Sequence, residues 1–341
     1  MQTRDRKDHR VRDPMAQRVW EYVSRSELGS LWNCEGTPMA VVFKRTAKAF
    51  VDDDLLSRAA ELGFYFLFAL FPMLICASSI LGLEARSASM FYDKLLHYLA
   101  VVVPPSAYRL VIDTFNQTAQ ASSSGKITFG LAIALWSASV GFAAIQDTMN
   151  LVYKVRETRP YWKARGIAIL VTIWLAVIAT LNLAVLFGGD ALARYARSHL
   201  GHRTLSILVA ILIHAVTWIA ATALLMLIFS SIYYYAPNLS HKRWHWLTPG
   251  AAVGIITWTF ASLGFRAYLH FFNSYSITYG SLGAVVILLM WFYITGLTLL
   301  AGAEINSEIQ AAVAEKRLKE SGALPPQATT DPKNPVPAAA A

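Results

Sequence analysis

Two histidines are the side chains that come nearest to a recognisable chemistry: His241 and His245, four residues apart in His-Lys-Arg-Trp-His. On a helix that spacing would set both imidazoles on one face. Lys242 stands where a zinc-protease motif requires glutamate, and no cysteine or acidic ligand lies close by in sequence. A metal-dependent nuclease needs carboxylates or histidines gathered to hold ions and activate water. The carboxylates here are scattered over the N-terminal region, the loops and the ends of apolar runs. A phosphate-cradling GxxxxGK(S/T) loop is also missing, which speaks against an ATP-driven pump. We name no catalytic residue, no metal ligand and no cofactor.

A second set of groups lies inside or beside long apolar runs, where burial in lipid makes a polar side chain costly. Asn182, His214, Arg266 and His270 interrupt such runs, and Glu61 and Glu304 stand at run ends. Gln146, Asp147 and Asn150 form a polar turn where another run stops. Arg266 lies late in its run, at a depth from which an arginine snorkels to the interface. Backbone interruptions accompany these groups. Pro72 lies within Phe-Ala-Leu-Phe-Pro-Met, Gly188–Gly189 and Pro237–Asn238 close runs, and Pro249–Gly250 opens one. Proline removes a backbone donor and bends or breaks a helix. Broken helices at membrane depth frame substrate sites in transporters, though many kinks only shape packing.

These groups can be held in place only by membrane helices. Hydrophobic residues make up 55% of the chain and charged residues 15%, against roughly 25% charged in soluble domains. Six charge-free runs occur: Leu62–Leu83, Ile127–Gln146, Gly166–Gly189, Thr204–Ser240, Trp244–Phe265 and Ala267–Ala303. Each reaches the roughly 20 residues that cross a bilayer. We therefore expect an all-α polytopic membrane protein with six transmembrane helices, at about 60–83, 127–150, 166–188, 205–235, 247–270 and 280–303. Interfacial helices are expected in the long connection Glu84–Lys126, whose apolar stretches are broken by Pro104–Pro105.

Net charge is +9, which on a soluble protein would suggest nucleic acid. The positive-inside bias of short membrane loops explains it without a nucleic-acid partner. Lys154, Arg156, Arg159, Lys163 and Arg165 crowd one short loop, Lys242 and Arg243 another, and Lys316, Arg317 and Lys319 follow the last run. The alternate loops are poorer in bases, although Arg194, Arg197 and Arg203 dilute the contrast. Both termini are thus expected in the cytoplasm. Residues 1–37 read as a charged tail with a short helix near Val19–Leu31, 38–310 as the membrane domain, and 311–341 as a Pro/Ala-rich tail. The segment after Pro38 has the spacing of an amphipathic helix on an anionic leaflet, and Asp54 suits an N-cap. No signal peptide is visible, and Cys34 and Cys76 lie in dissimilar surroundings, which disfavours a disulfide.

Several short pieces resemble the YihY/BrkB family of bacterial inner-membrane proteins, some of which carry an old ribonuclease BN label. They are Phe64–Tyr65 with Leu70-Phe71-Pro72, then Asn150 with Tyr153 and the basic stretch, then Pro237–Asn238 and Pro249-Gly250-Ala251. Tyr268, Tyr279–Gly280 with Leu282-Gly283-Ala284-Val285, Trp291, Tyr293 and Gly302-Ala303-Glu304-Ile305 complete the series. Their order over about residues 38–310 carries the likeness. The resemblance implies six membrane helices with cytoplasmic termini, and transport or export across the envelope. From the residues we expect a non-enzymatic transporter or exporter of a lipid-like or anionic solute. Tyr65, Pro72, Asn182, His214 and Glu304 would border its pathway, and Asn150, Pro237, Asn238, Tyr279 and Gly280 would serve as structural motif residues. Membrane lipids are the expected partners and envelope proteins candidate ones. A scaffold without transport is the alternative, and a ribonuclease the weaker one.

Overall fold

A computed structural model describes residues 14–25, 38–83, 124–199, 203–240, 244–271 and 281–323, with a few isolated positions between them. The connection 84–123, Tyr279, Gly280, His241 and the segment from 324 onward lie outside the described residues, as do the side chains from 71 to 83. The expected interfacial helices and Pro/Ala-rich tail therefore fall outside them. Among the described residues the chain is all-helical. Its helices are α1 (Pro14–Arg25), α2 (Met39–Asp52), α3 (Leu55–Leu83), α4 (Ser124–Val152), α5 (Tyr161–His199), α6 (Arg203–Tyr235), α7 (Pro249–Phe271) and α8 (Ser281–Glu320).

Four of them, α5 to α8, are long and apolar enough to cross a membrane. In hydrocarbon a segment must satisfy its own backbone donors and acceptors, and only a helix does so along its whole length. The flanks obey ordinary helix chemistry. Pro249 opens α7, where the amide that proline lacks would have no intrahelical partner. Pro72 lies inside α3, yet the helix runs through it unbroken. α5 likewise continues past Gly188–Gly189 to His199, so neither position ends its helix.

α8 is the central post. It packs against α3, α7, α2, α1 and α4, while α5 and α6 form an antiparallel pair laid on α4 and α7. The main core gathers Leu62 of α3, Met149 of α4, Ala168 of α5, Phe229 of α6, Ile255 of α7 and Leu300 of α8. Outward faces of α5 and α6 are apolar as well: Leu181, Leu208, Ile211, Trp218 and Ile219 are all exposed. That is the surface expected where lipid is the solvent. Indole N–H groups are tied across helices, Trp174 to the Ser231 hydroxyl and Trp258 to the Thr295 hydroxyl, both at 3.1 Å.

Small residues set the closest approaches. A methyl on Gly250 would overlap the Gly302 carbonyl oxygen, so α7 and α8 meet backbone to backbone. Gly254 instead faces Phe229 and Tyr233 of α6. The Gly250–Gly254 spacing therefore serves two neighbours within one chain.

α8 extends beyond Ala303 for four more turns, and its extension is clothed by the N-terminal helices. Val19 and Val23 of α1 pack on Ala311, Val313 and Ala314. Val42 of α2 packs on Ile305 and Ile309, and Arg45 pairs with Glu315 at 2.9 Å. α2 is thus partly a packed element. Its neighbouring face leaves Met39, Phe43 and Val51 exposed beside exposed Lys44 and Lys48, as an interfacial helix would. Asp54 takes the N-cap position of α3: its carbonyl accepts from Arg58 N–H, and its carboxylate accepts from the Ser57 hydroxyl at 3.0 Å.

Candidate functional site

The polar groups singled out from the sequence converge where α4 and α6 end and α5 and α7 begin. α4 finishes in a tight reversal: Val155 N–H bonds the Asn150 carbonyl at 2.9 Å and Lys154 N–H the Leu151 carbonyl at 3.0 Å. That is the Schellman pattern, which needs a left-handed residue after the helix. Lys154 supplies it at φ 54°, without being glycine. Its ammonium pairs with Asp53, and the next residue, Asp54, is also left-handed at φ 57°. Two non-glycine residues in this region, joined through one ion pair, fix the α2–α3 turn against the end of α4.

Asn150 faces the opposite way and ties two loops. Its carbonyl oxygen accepts from Asn238 N–H at 2.7 Å, and its amide donates to Glu157 at 2.8 Å. Asn238 in turn donates from its amide to the Arg156 carbonyl at 3.0 Å and the Thr158 hydroxyl at 2.8 Å. Arg159 closes the ring, binding Glu157 at 2.6 Å and the Ala236 carbonyl at 3.2 Å. Pro237, buried in this ring, follows the last turn of α6. Arg159's hydrogen bonds, with that from Asn150, hold the Glu157 carboxyl down to about 2. Asp147 lies within electrostatic reach of Glu157, Glu61, Arg58 and Arg159, and Glu61 is paired with Arg58 at 3.0 Å.

Behind this ring lies a buried polar interior. Glu304 has no exposed surface, and Tyr153 is 2% exposed. Burial, and then the charge of Glu304, push the Tyr153 hydroxyl upward, so the two belong to one electrostatic neighbourhood. Gln146 is buried on α4 with its amide nitrogen lacking a hydrogen-bond partner. Asn306 caps α7 by accepting from Gly250 N–H at 2.8 Å and donating to the Thr248 hydroxyl at 3.1 Å. Ser307 donates to the Val152 carbonyl at 2.9 Å, and Tyr233 to the Leu299 carbonyl at 2.9 Å. One turn of α8, from Glu304 to Ser307, therefore carries interior polar contacts to the end of α4 and the start of α7.

The remaining expected residues lie apart. Asn182 of α5 donates to the Ala221 carbonyl at 3.2 Å, and its own side-chain oxygen is buried without a hydrogen-bond partner. His214 is half-buried on α6, and Tyr65 of α3 lies over Gly141 of α4. Arg266 is exposed on α7, as a snorkelling arginine would be. His245 sits in the irregular stretch before α7, so the one-face arrangement with His241 has no helix to rest on there. Among the described residues, no group of three His, Cys, Asp or Glu side chains is placed to hold a metal ion.

One residue escaped sequence reading. Arg165 counted only as one of five loop bases, yet it is 8% exposed and its guanidinium carbon lies 4.1 Å from the centre of the Trp136 ring. The signal was available in helical phase. Arg165 precedes buried Ala168 by three residues and Thr172 by seven, on the face of α5 that meets α4.

Comparison with known proteins adds the lineage. The profile of the family described as Virulence factor BrkB matches residues 46–325. A ribonuclease-like protein of Bacillus subtilis (strain 168), YfkH, is 34% identical over 253 residues, which cover 74% of this chain and 88% of the relative. A UPF0761 membrane protein of Stenotrophomonas maltophilia (strain K279a) is 29% identical over 274 residues. Another, of Xanthomonas oryzae pv. oryzae (strain PXO99A), is 27% identical over 277 residues. In each UPF0761 case the match covers 77% of this chain and 59% of the relative's length. No solved structure matches.

Proposed function

The chain belongs to the BrkB family of multi-pass bacterial membrane proteins, and on that premise we propose that it moves an anionic or lipid-like solute across the inner membrane without covalent chemistry. In this reading α3 to α8 make six crossings with both termini in the cytoplasm. The base-rich loop between α4 and α5 supports the orientation. Exposed Tyr161, Trp162, Trp246 and Tyr235 at the same end of the bundle suit the interface level there.

Glu304 carries the proposal. A carboxylate with no exposed surface, at the point where α8 leaves the apolar layer, is costly to hold there, and such groups mark ion and proton routes in membrane proteins. Beside buried Tyr153 it can take up and release a proton or hold a cation as the helices around it rearrange. Tyr65, Pro72, Asn182 and His214 would border the route from that end into the bundle. Membrane lipids are the partners this reading requires. Reconstitution into vesicles tests it: Glu304→Gln should abolish the movement of a labelled anionic lipid or solute that the native protein supports. Failure of the native protein to move anything across a broad panel would end the reading.

The ribonuclease-like name of the Bacillus relative motivates one other reading. It rests on that name alone, since no group of three described His, Cys, Asp or Glu side chains is placed to hold a metal ion. RNA cleavage by highly purified protein, lost on His241→Ala or His245→Ala, would reverse the order.

A further inference from the structure

α2 has three faces, and its contacts fix which way each one looks. Val42, Thr46 and Ala49 recur at helical spacing and are buried. Val42 packs on Ile305 and Ile309, at the level where α8 leaves the apolar layer. Asp53, the residue after α2, pairs with Lys154 just past the end of α4. The helix is therefore held at both ends near the depth where two crossings stop. On one flank of the buried stripe, Arg45 reaches Glu315, ten residues beyond Ile305 and further from the bilayer. Met39, Phe43, Ala47 and Phe50 line the opposite flank, which accordingly looks back toward the bilayer. Phe50 agrees with that direction, because it packs on the main core of the bundle. Met39, Phe43 and Ala47 continue the same flank and are exposed. Lys44 and Lys48, also exposed, stand on the face turned away from α8. Among the described residues neither lysine has an acidic partner, whereas Arg45 does. Of the exposed apolar residues of α2, Val41 alone falls on the lysine side.

We propose that α2 lies in the surface of an anionic bilayer, with Met39, Phe43 and Ala47 among the acyl chains and Lys44 and Lys48 on phospholipid phosphates. An apolar flank beside a basic one is how a helix in the membrane plane meets that boundary. Lysine suits its part, since its stem lies along apolar surface while the ammonium stays at the headgroups. Charge selects the lipid: a zwitterionic surface answers the apolar flank, and only an anionic one also answers two unpaired ammonium groups. The inference goes beyond the transport reading and stands apart from it, because lipid contact is measured without any flux.

The test places a bimane label on α2 of the full chain, through Ala47→Cys in a protein whose Cys34 and Cys76 are replaced by serine. The labelled protein is reconstituted in phosphatidylcholine vesicles with and without phosphatidylglycerol. Lipids brominated on their acyl chains should quench the label, and aqueous iodide should not reach it. Brominated phosphatidylglycerol should quench more strongly than brominated phosphatidylcholine at equal mole fraction. That preference should fall about fivefold for each lysine removed, in Lys44→Gln and then in Lys44→Gln/Lys48→Gln. Arg197→Gln, which removes an exposed base near the far end of α5, should leave it unchanged. The substituted lysines are exposed, so folding does not obscure the result. Absence of quenching by brominated lipid, with or without access for iodide, overturns the proposal. Equal quenching by the two lipids, or a preference that the lysine variants leave intact or that Arg197→Gln lowers as far, overturns the assignment of these lysines to anionic headgroups.

Discussion

Asn238 N–H donates to the side-chain oxygen of Asn150 across 88 residues of sequence, at 2.7 Å. That bond makes the ends of α4 and α6 one rigid unit, because the other half of the Asn150 amide is engaged by Glu157. Replacing Asn150 with alanine leaves the Asn238 N–H without its partner and takes one hydrogen bond from Glu157, which keeps those of Arg159. The expected loss is about 2–3 kcal/mol, near the sum for one neutral and one charge-assisted hydrogen bond. Thermal melting in detergent measures it. An unchanged midpoint would mean that the ring of contacts does not hold the two loops.

Acid should open the same ring. The Glu157 carboxyl is held down to about 2 from its ordinary 4.5, chiefly by hydrogen bonds from Arg159. A group depressed in the folded protein stabilises it above the unfolded value, and the contribution is lost as pH falls through the folded one. Stability should therefore decline between about pH 5 and pH 2. In Glu157→Gln that segment of the profile should flatten, as read from melting midpoints across the range.

The α7–α8 crossing is predicted to tolerate no side chain. Gly250→Ala and Gly302→Ala each set a methyl against backbone, which cannot swing aside. Overpacking of this kind costs about 1–3 kcal/mol or displaces the helix. Gly264→Ala on the same helix meets nothing within 4 Å and should melt like the native chain. Equal behaviour of Gly264→Ala and Gly302→Ala would show that α7 and α8 do not approach so closely.

Helix positions were legible because lipid imposes a simple code: the charge-free runs beginning at Leu62, Ile127 and Gly166 all fall within single helices. The extension of α8 was harder to see, since Ile305, Ile309 and Ala312 repeat at helical spacing among charged residues that resemble a solvated flank. Pro72 and Gly189 read as breaks because each weakens a helix in water. In an apolar bundle the neighbours and the absence of competing solvent keep α3 and α5 intact. Asn150, Pro237 and Asn238 carried no sign that they meet, as nothing local encodes an 88-residue contact. Arg165 was hidden by its own company, four other bases in one loop.

Glu304 offers the sharpest separation between structure and work. Glutamine has the same shape and needs no counter-charge, so Glu304→Gln removes the penalty of enclosing a carboxylate at 0% exposure. If the residue only fills space, the variant should melt at or above the native midpoint and leave transport untouched. If it gains and loses a proton or a cation during the cycle, the variant should melt equally well and fail to transport. Glu304→Asp should then retain partial flux, since it keeps the charge and draws it back by one methylene. Flux and melting of native, Glu304→Gln and Glu304→Asp proteins in the same vesicles decide the matter. Native flux in Glu304→Gln would leave this carboxylate a packing residue and remove the main support for a transport cycle built around it.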